Sequence, residues 1–191
     1  MENDNRHKRR IIDLAVENKL SHIGSALSAV DIIAEIYKMR KPDEPFVLSQ
    51  GHANLALQVV LESEGLPVSL ETHPEASQEG VWCSTGSLGH GLPIAVGMAL
   101  ADRTRRVWCL ISDGECAEGS IWEALRIASE QNLTNLIIFC NANGYSAYGT
   151  VDIDLLEHRL LSFFPVNVVR TSNAPLEGIE AHYQILEKNI L

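Results

Sequence analysis

Asp113 stands just after an apolar run, Val107-Trp-Cys-Leu-Ile, and Asn143 just after a second, Leu136-Ile-Ile-Phe-Cys. The two polar residues are 30 positions apart. That interval is close to one β-α-β unit, whose two strands run parallel in one sheet about 5 Å from each other. A carboxylate and a carboxamide at neighbouring strand ends can therefore reach one small ion. Hard oxygen donors of this mix, completed by a main-chain carbonyl, suit Mg2+ or Ca2+. One carboxylate holds such an ion weakly, so the pattern expects a ligand that brings phosphate oxygens. Gly114 lets the backbone approach that phosphate, and a helix beginning near Gly119 and Ser120 offers its positive end nearby. Asp-Gly and Asn-Gly are also common turn dipeptides. Their joint placement at successive strand ends, with Glu118 and Glu123 between, is what points to an ion site.

Three histidines have informative settings. His22 lies in Leu20-Ser-His-Ile-Gly before a helix, His52 in Leu48-Ser-Gln-Gly-His after a strand, and His73 in Thr72-His-Pro-Glu within a loop. All three sit at ends of elements rather than on apolar faces. Imidazole can donate to phosphate or pass protons to hydroxyls and carbonyls; histidines in such loops also serve as caps or surface groups. A Gly-rich turn, Ser84-Thr-Gly-Ser-Leu-Gly-His-Gly, opens an Ala-rich helix. It is neither the dinucleotide GxGxxG nor the GxxxxGK[ST] phosphate loop.

The elements that must position these residues follow from periodicity. Residues 9–20 place Ile11, Ile12, Leu14, Ala15 and Val16 along a helical face. Ser25 is the expected N-cap of the next helix, which runs through Val30, Ile33 and Tyr37. A short buried strand covers 46–49, and a helix follows His52 to about Gly65. Residues 66–80 read as irregular. Helix to about 101, strand 107–111, helix 120–131, strand 136–140, helix 152–161, strand 166–169 and helix 176–187 complete the chain. Apolar strands alternating with helices predict an α/β fold, a mostly parallel sheet with helices on both faces. In such sheets ligands gather at the carboxyl ends of the strands, where the polar residues above fall.

At 191 residues, 46% hydrophobic and 21% charged, the chain suits one domain with its own core, spanning 1–191. A net charge of −10 argues against a nucleic-acid binder, which needs a basic face for phosphates. No apolar run approaches the roughly 20 residues of a membrane span, and the start of the chain does not read as a signal peptide. Cys83, Cys109, Cys116 and Cys140 form no CxxC pair. These readings expect no membrane partner and a reduced, cytoplasmic setting.

Several of these segments, in order, resemble one family. Asp113-Gly-Glu through Asn143 is similar to the thiamine-diphosphate signature, Gly-Asp-Gly followed about thirty residues later by Asn. "SHIGSALSAVDIIAEIY", "FVLSQGHANLAL", "THPE" and "CSTGSLGHGLPIAVGMALA" resemble the Ser-Gly-His-Pro-Gly, Phe-Val-Leu-Ser-x-Gly-His, Gly-His-Pro-Glu and Thr-Thr-Gly-Pro-Leu-Gly-Gln-Gly segments of transketolases. The resemblance runs from about residue 10 to 169 and is to the N-terminal, diphosphate-side domain. It implies a thiamine-diphosphate-binding fold, with thiamine diphosphate and Mg2+ (or Ca2+) as cofactors. It places the metal on Asp113, Asn143 and the Tyr145 carbonyl. Gly114 and Glu115 fall on the turn that hugs the diphosphate. His52 would contact the diphosphate, Gly86, Leu88 and Gly89 the aminopyrimidine region, His22 the thiazolium and the substrate carbonyl, and His73 the substrate hydroxyls. Glu118 and Glu123 fall on glutamates of the subunit interface. Ser112 replaces the first Gly of the signature, and Asn141-Ala142 replaces Asp-Asp.

The family's pyrimidine-side and C-terminal domains have no counterpart here. The resemblance therefore implies the small subunit of a split transketolase-like enzyme, self-associated to at least a dimer. A separate partner subunit would supply the glutamate that activates the cofactor, and a sugar would be the substrate. The expected activity is transfer of a two-carbon ketol unit from a ketose to an aldehyde. A non-catalytic cofactor-binding or scaffold relative and a deoxyxylulose-phosphate-synthase-like enzyme are the alternatives.

Overall fold

The computed structural model of the chain describes residues 5–172; the helix expected at 176–187 lies outside them. Six helices are described: α1 (Asn5–Asn18), α2 (Ile23–Met39), α3 (Asn54–Ser63), α4 (Gly91–Ala101), α5 (Gly119–Glu130) and α6 (Ile153–Phe163). The described strands are β1 (Phe46–Leu48), β2 (Val107–Ser112), β3 (Leu136–Ala142), β4 (Tyr145–Ser146), β5 (Gly149–Thr150) and β6 (Val166–Arg170). Four of them form one parallel sheet in the order β1-β2-β3-β6. The expected α/β architecture is present, and residues 66–80 form neither helix nor strand.

Alternation along the strands decides which helices cover which face. Phe46, Leu48, Trp108 and Leu110 join one core with α1, α2 and α3. Val47, Val107, Cys109 and Ile111 join a second core with α4, α5 and α6. Both faces of β2 are apolar because both are covered, as parallel strands require. No described helix is long and apolar enough to cross a membrane.

The structure corrects the sequence reading in four places. Ser25 does not cap α2. The helix begins at Ile23, His22 precedes it in the left-handed conformation (φ 63°, ψ 24°), and Ser25 is buried inside the first turn, where its carbonyl accepts from the Ser28 hydroxyl. α1 begins at Asn5, well before residue 9. A 3-10 turn at Gly51–Ala53 separates β1 from α3. A two-stranded hairpin of β4 with β5 follows β3; its strands are too short for periodicity to reveal.

Candidate functional site

β2 and β3 pair in parallel with Ser112 opposite Asn141, and the Asp113 amide continues the ladder to the Asn141 carbonyl at 3.0 Å. This register brings the turn after β2 beside the turn after β3. Asp113 binds across the gap: its Oδ2 accepts the Gly144 amide at 2.6 Å while Oδ1 accepts the Gly114 amide at 2.9 Å. Asn143 Oδ1 accepts the Tyr145 amide at 2.9 Å, and the Tyr145 carbonyl faces Gly114, 3.6 Å from where a Cβ there would stand. Asp113, Asn143 and Tyr145 thus share one small region at the carboxyl end of the sheet.

The electrostatics of that region suit a cation. The Asp113 residue is 3% exposed, and no Lys, Arg or His pairs with it among the described residues. Burial pushes its carboxyl up to about 6, against the opposing pull of the Gly144 and Gly114 amides. An ion beside it would restore the charged form. Among the described residues no group of three or more His, Cys, Asp or Glu could hold a metal. The donor set is one carboxylate, one carboxamide and one carbonyl, which fits Mg2+ or Ca2+ completed by phosphate oxygens.

The histidines gather at the same end of the sheet. The His22 and His52 ring centroids are 5.9 Å apart. Burial lowers the His22 pKa, and the charge of His73 lowers it further. His73 lies against Gly86, where an added Cβ would meet its ring at 2.8 Å and where φ is +152°. Only glycine satisfies that turn and that approach together. The Thr85 hydroxyl fastens the Gly-rich turn to the Leu48 carbonyl at 2.6 Å. Leu88 is half-buried and His90 is exposed at the start of α4.

Glu115 lies in the expected turn, but its carboxylate faces inward. It is 0% exposed. Oε1 accepts the Ser49 hydroxyl at 2.8 Å and the Gly89 amide at 2.9 Å, and Oε2 accepts the Ser112 amide at 3.2 Å. Burial pushes the carboxyl up to about 7 despite these donors. One side chain thereby ties the end of β1, the Gly-rich turn and the end of β2. Ser112 completes the tie by accepting the Glu115 amide on its hydroxyl at 3.2 Å, a bond that a glycine there could not make. At Gly89, φ is +76° and a Cβ would stand 2.4 Å from the Ser120 hydroxyl. Glu118 packs against this glycine, whereas Glu123 is exposed and paired with Arg126.

Sequence reasoning missed a neutral network beneath the site. Asn141, fully buried, donates to the Ser28 hydroxyl at 2.9 Å and to Gln50 Oε1 at 3.4 Å, and accepts from the Thr171 hydroxyl at 2.5 Å. A carboxylate could not donate to Ser28 and Gln50, which accounts for the amide at this position. Among the described residues the buried Gln50 Nε2 has no hydrogen-bond partner. Gln78 links the 66–80 segment to α3 by accepting from Gln58 at 3.1 Å, and within the segment it donates to Ser69 at 2.7 Å.

Comparison with known proteins identifies the family and the fold. A subunit of the apulose-4-phosphate transketolase of Phocaeicola vulgatus is 33% identical over 174 residues, covering 77% of this chain and 62% of that protein. Human transketolase is 35% identical over 166 residues, covering 73% of this chain and 26% of that protein. A crystal structure of a Pichia stipitis transketolase mutant superposes with a TM-score of 0.64 at 24% identity, over 88% of this chain and 36% of that one, and shares the fold. The chain thus spans about three fifths of the Phocaeicola relative and about a quarter of the human enzyme. The family model for the transketolase thiamine diphosphate binding domain matches residues 6–171, and the chain belongs to that family.

Proposed function

We propose that this chain is the diphosphate-side subunit of a thiamine-diphosphate-dependent transketolase-like enzyme, and that it forms a single domain over residues 1–191. The observation that carries the reading is the Asp113–Gly144 bond. It sets a buried carboxylate with no cationic partner beside Asn143 and the Tyr145 carbonyl, at the sheet end that also bears three histidines.

In this reading Asp113, Asn143 and the Tyr145 carbonyl hold Mg2+ or Ca2+ against the diphosphate, and Gly114 gives the phosphates backbone access. His52 donates to the diphosphate, while Gly86 and Leu88 line the aminopyrimidine side. Glu115 holds the turns that do this, its carboxylate being occupied by protein donors. His22 hydrogen-bonds the reacting carbonyl and His73 the substrate hydroxyls. When bound, thiamine diphosphate supplies the carbanion chemistry that cleaves and forms the bond next to a ketose carbonyl.

A partner subunit supplies the cofactor-activating glutamate. Two relatives, from Phocaeicola vulgatus and Actinobacillus succinogenes, are named as one subunit of an apulose-4-phosphate transketolase, which supports a second chain. Self-association to at least a dimer is supported by α4. That helix is apolar on every side and leaves Ile94 and Leu100 exposed at 36% and 38%. Glu118 and Glu123 on the neighbouring α5 region would join that interface. Four free thiols suit the cytoplasm.

The test mixes this chain with candidate pyrimidine-side subunits, thiamine diphosphate and Mg2+, and assays ketol transfer from several ketose phosphates, apulose 4-phosphate included. Turnover that needs both chains is expected. No turnover of any ketose by any mixture would sink the enzyme reading.

A further inference from the structure

We infer that Ser21 is a positioning residue that holds the His22 ring in one neutral tautomer, with the proton on Nε2. The Ser21 hydroxyl and His22 Nδ1 are 2.8 Å apart. Among the described residues the Ser21 hydroxyl has no other hydrogen-bond partner. If Nδ1 carried the proton, the hydroxyl hydrogen would have no acceptor in the described protein. With the hydroxyl donating to Nδ1, the neutral ring must carry its proton on Nε2.

Two further features keep the pair in register. His22 adopts left-handed backbone at φ 63° immediately before α2, a conformation uncommon for a non-glycine residue. The Ala26 amide anchors the His22 carbonyl at 3.2 Å, so the turn is closed from the helix side. Both side chains are half-buried, and the lowered pKa of His22 agrees with a neutral ring. In the segment that resembles Ser-Gly-His-Pro-Gly, Ser21 stands on the Gly, so the hydroxyl belongs to this chain rather than to the motif.

The consequence is that His22 offers the reacting centre an N–H donor rather than a base. That consequence rests on the proposed role of His22; the tautomer does not.

The experiment is long-range 1H–15N correlation NMR of the 15N-labelled chain at pH 7.5, with His22 assigned by the signals lost in His22→Asn. The expected result is a protonated Nε2 and a pyridine-like Nδ1 in the native chain and in Ser21→Thr. In Ser21→Ala, an Nδ1–H component should appear and the Nδ1 resonance should move toward its averaged position. Unchanged amide signals beyond the turn show that the alanine variant is folded. A native ring protonated on Nδ1, or identical His22 signals in Ser21→Ala, would overturn the inference. These signals are read without cofactor or partner, so they stand or fall separately from ketol transfer.

Discussion

The Ser49 hydroxyl donates to the Glu115 carboxylate at 2.8 Å, joining the end of β1 to the turn after β2 across 66 positions of sequence. The same carboxylate takes the Gly89 amide, so three segments of the site meet on one buried acid. Ser49→Ala removes a hydrogen bond to that acid, a loss of about 1.5–3 kcal/mol. Glu115→Ala leaves three donors without an acceptor and should cost more. Denaturant unfolding of both variants checks the order; equal stabilities would show that the tie is not what joins these segments.

Asp113→Ala should abolish Mg2+-dependent binding of thiamine diphosphate, because Asp113 is the one carboxylate among the proposed metal ligands. Isothermal calorimetry with and without Mg2+ reads this. Binding equal to that of the native chain would place the diphosphate elsewhere.

Asn141→Asp should destabilise the chain by about 3 kcal/mol, the scale of an uncompensated charge in a buried site. Asn141 is 0% exposed, and its amide donates to Ser28 and Gln50. At about 2–4 °C per kcal/mol for a chain of this size, the melting midpoint should fall by roughly 10 °C. An unchanged midpoint would mean that the network tolerates charge.

Tyr37 gives the chain an alkaline limit. Burial pushes its phenol up to about 12, while the Arg40 cation, 4.6 Å from the ring centre, pulls the other way. Between pH 10 and pH 12 the unfolded chain loses this proton and the folded chain keeps it. Stability is therefore complete below pH 10 and falls as pH rises toward 12, by up to about 2–3 kcal/mol. Tyr37→Phe should flatten that part of the pH–stability curve. Superimposable curves for the two proteins would contradict the assignment.

Ile94→Glu on the exposed face of α4 should shift the assembly toward monomer in sedimentation velocity at micromolar concentration. The native chain should sediment as a dimer or larger. A native monomer, with and without a partner subunit, would remove the self-association proposal.

Much of this was legible in the chain itself. Val107-Trp-Cys-Leu-Ile and Leu136-Ile-Ile-Phe-Cys announced buried parallel strands, and the interval from Asp113 to Asn143 announced their pairing. The start of α2 was misread because Ser25 is a good cap by type, while His22 takes the left-handed turn that ends the loop. Left-handed backbone is uncommon enough for a histidine that no local pattern predicts it at this position. The β4–β5 hairpin escaped because two-residue strands have no period to detect.

What the sequence by itself determined is the layering, the strand ends and which polar residues stand there, since those depend on neighbours within a few positions. What the tertiary structure decided is the direction each side chain faces. Glu115 turns inward to Ser49 and Gly89, and Asn141 reaches Ser28 across 113 positions and Gln50 across 91. Those bonds exist because the parallel register brings distant turns to one end of the sheet, where a buried polar group must find a partner from whichever segment lies against it.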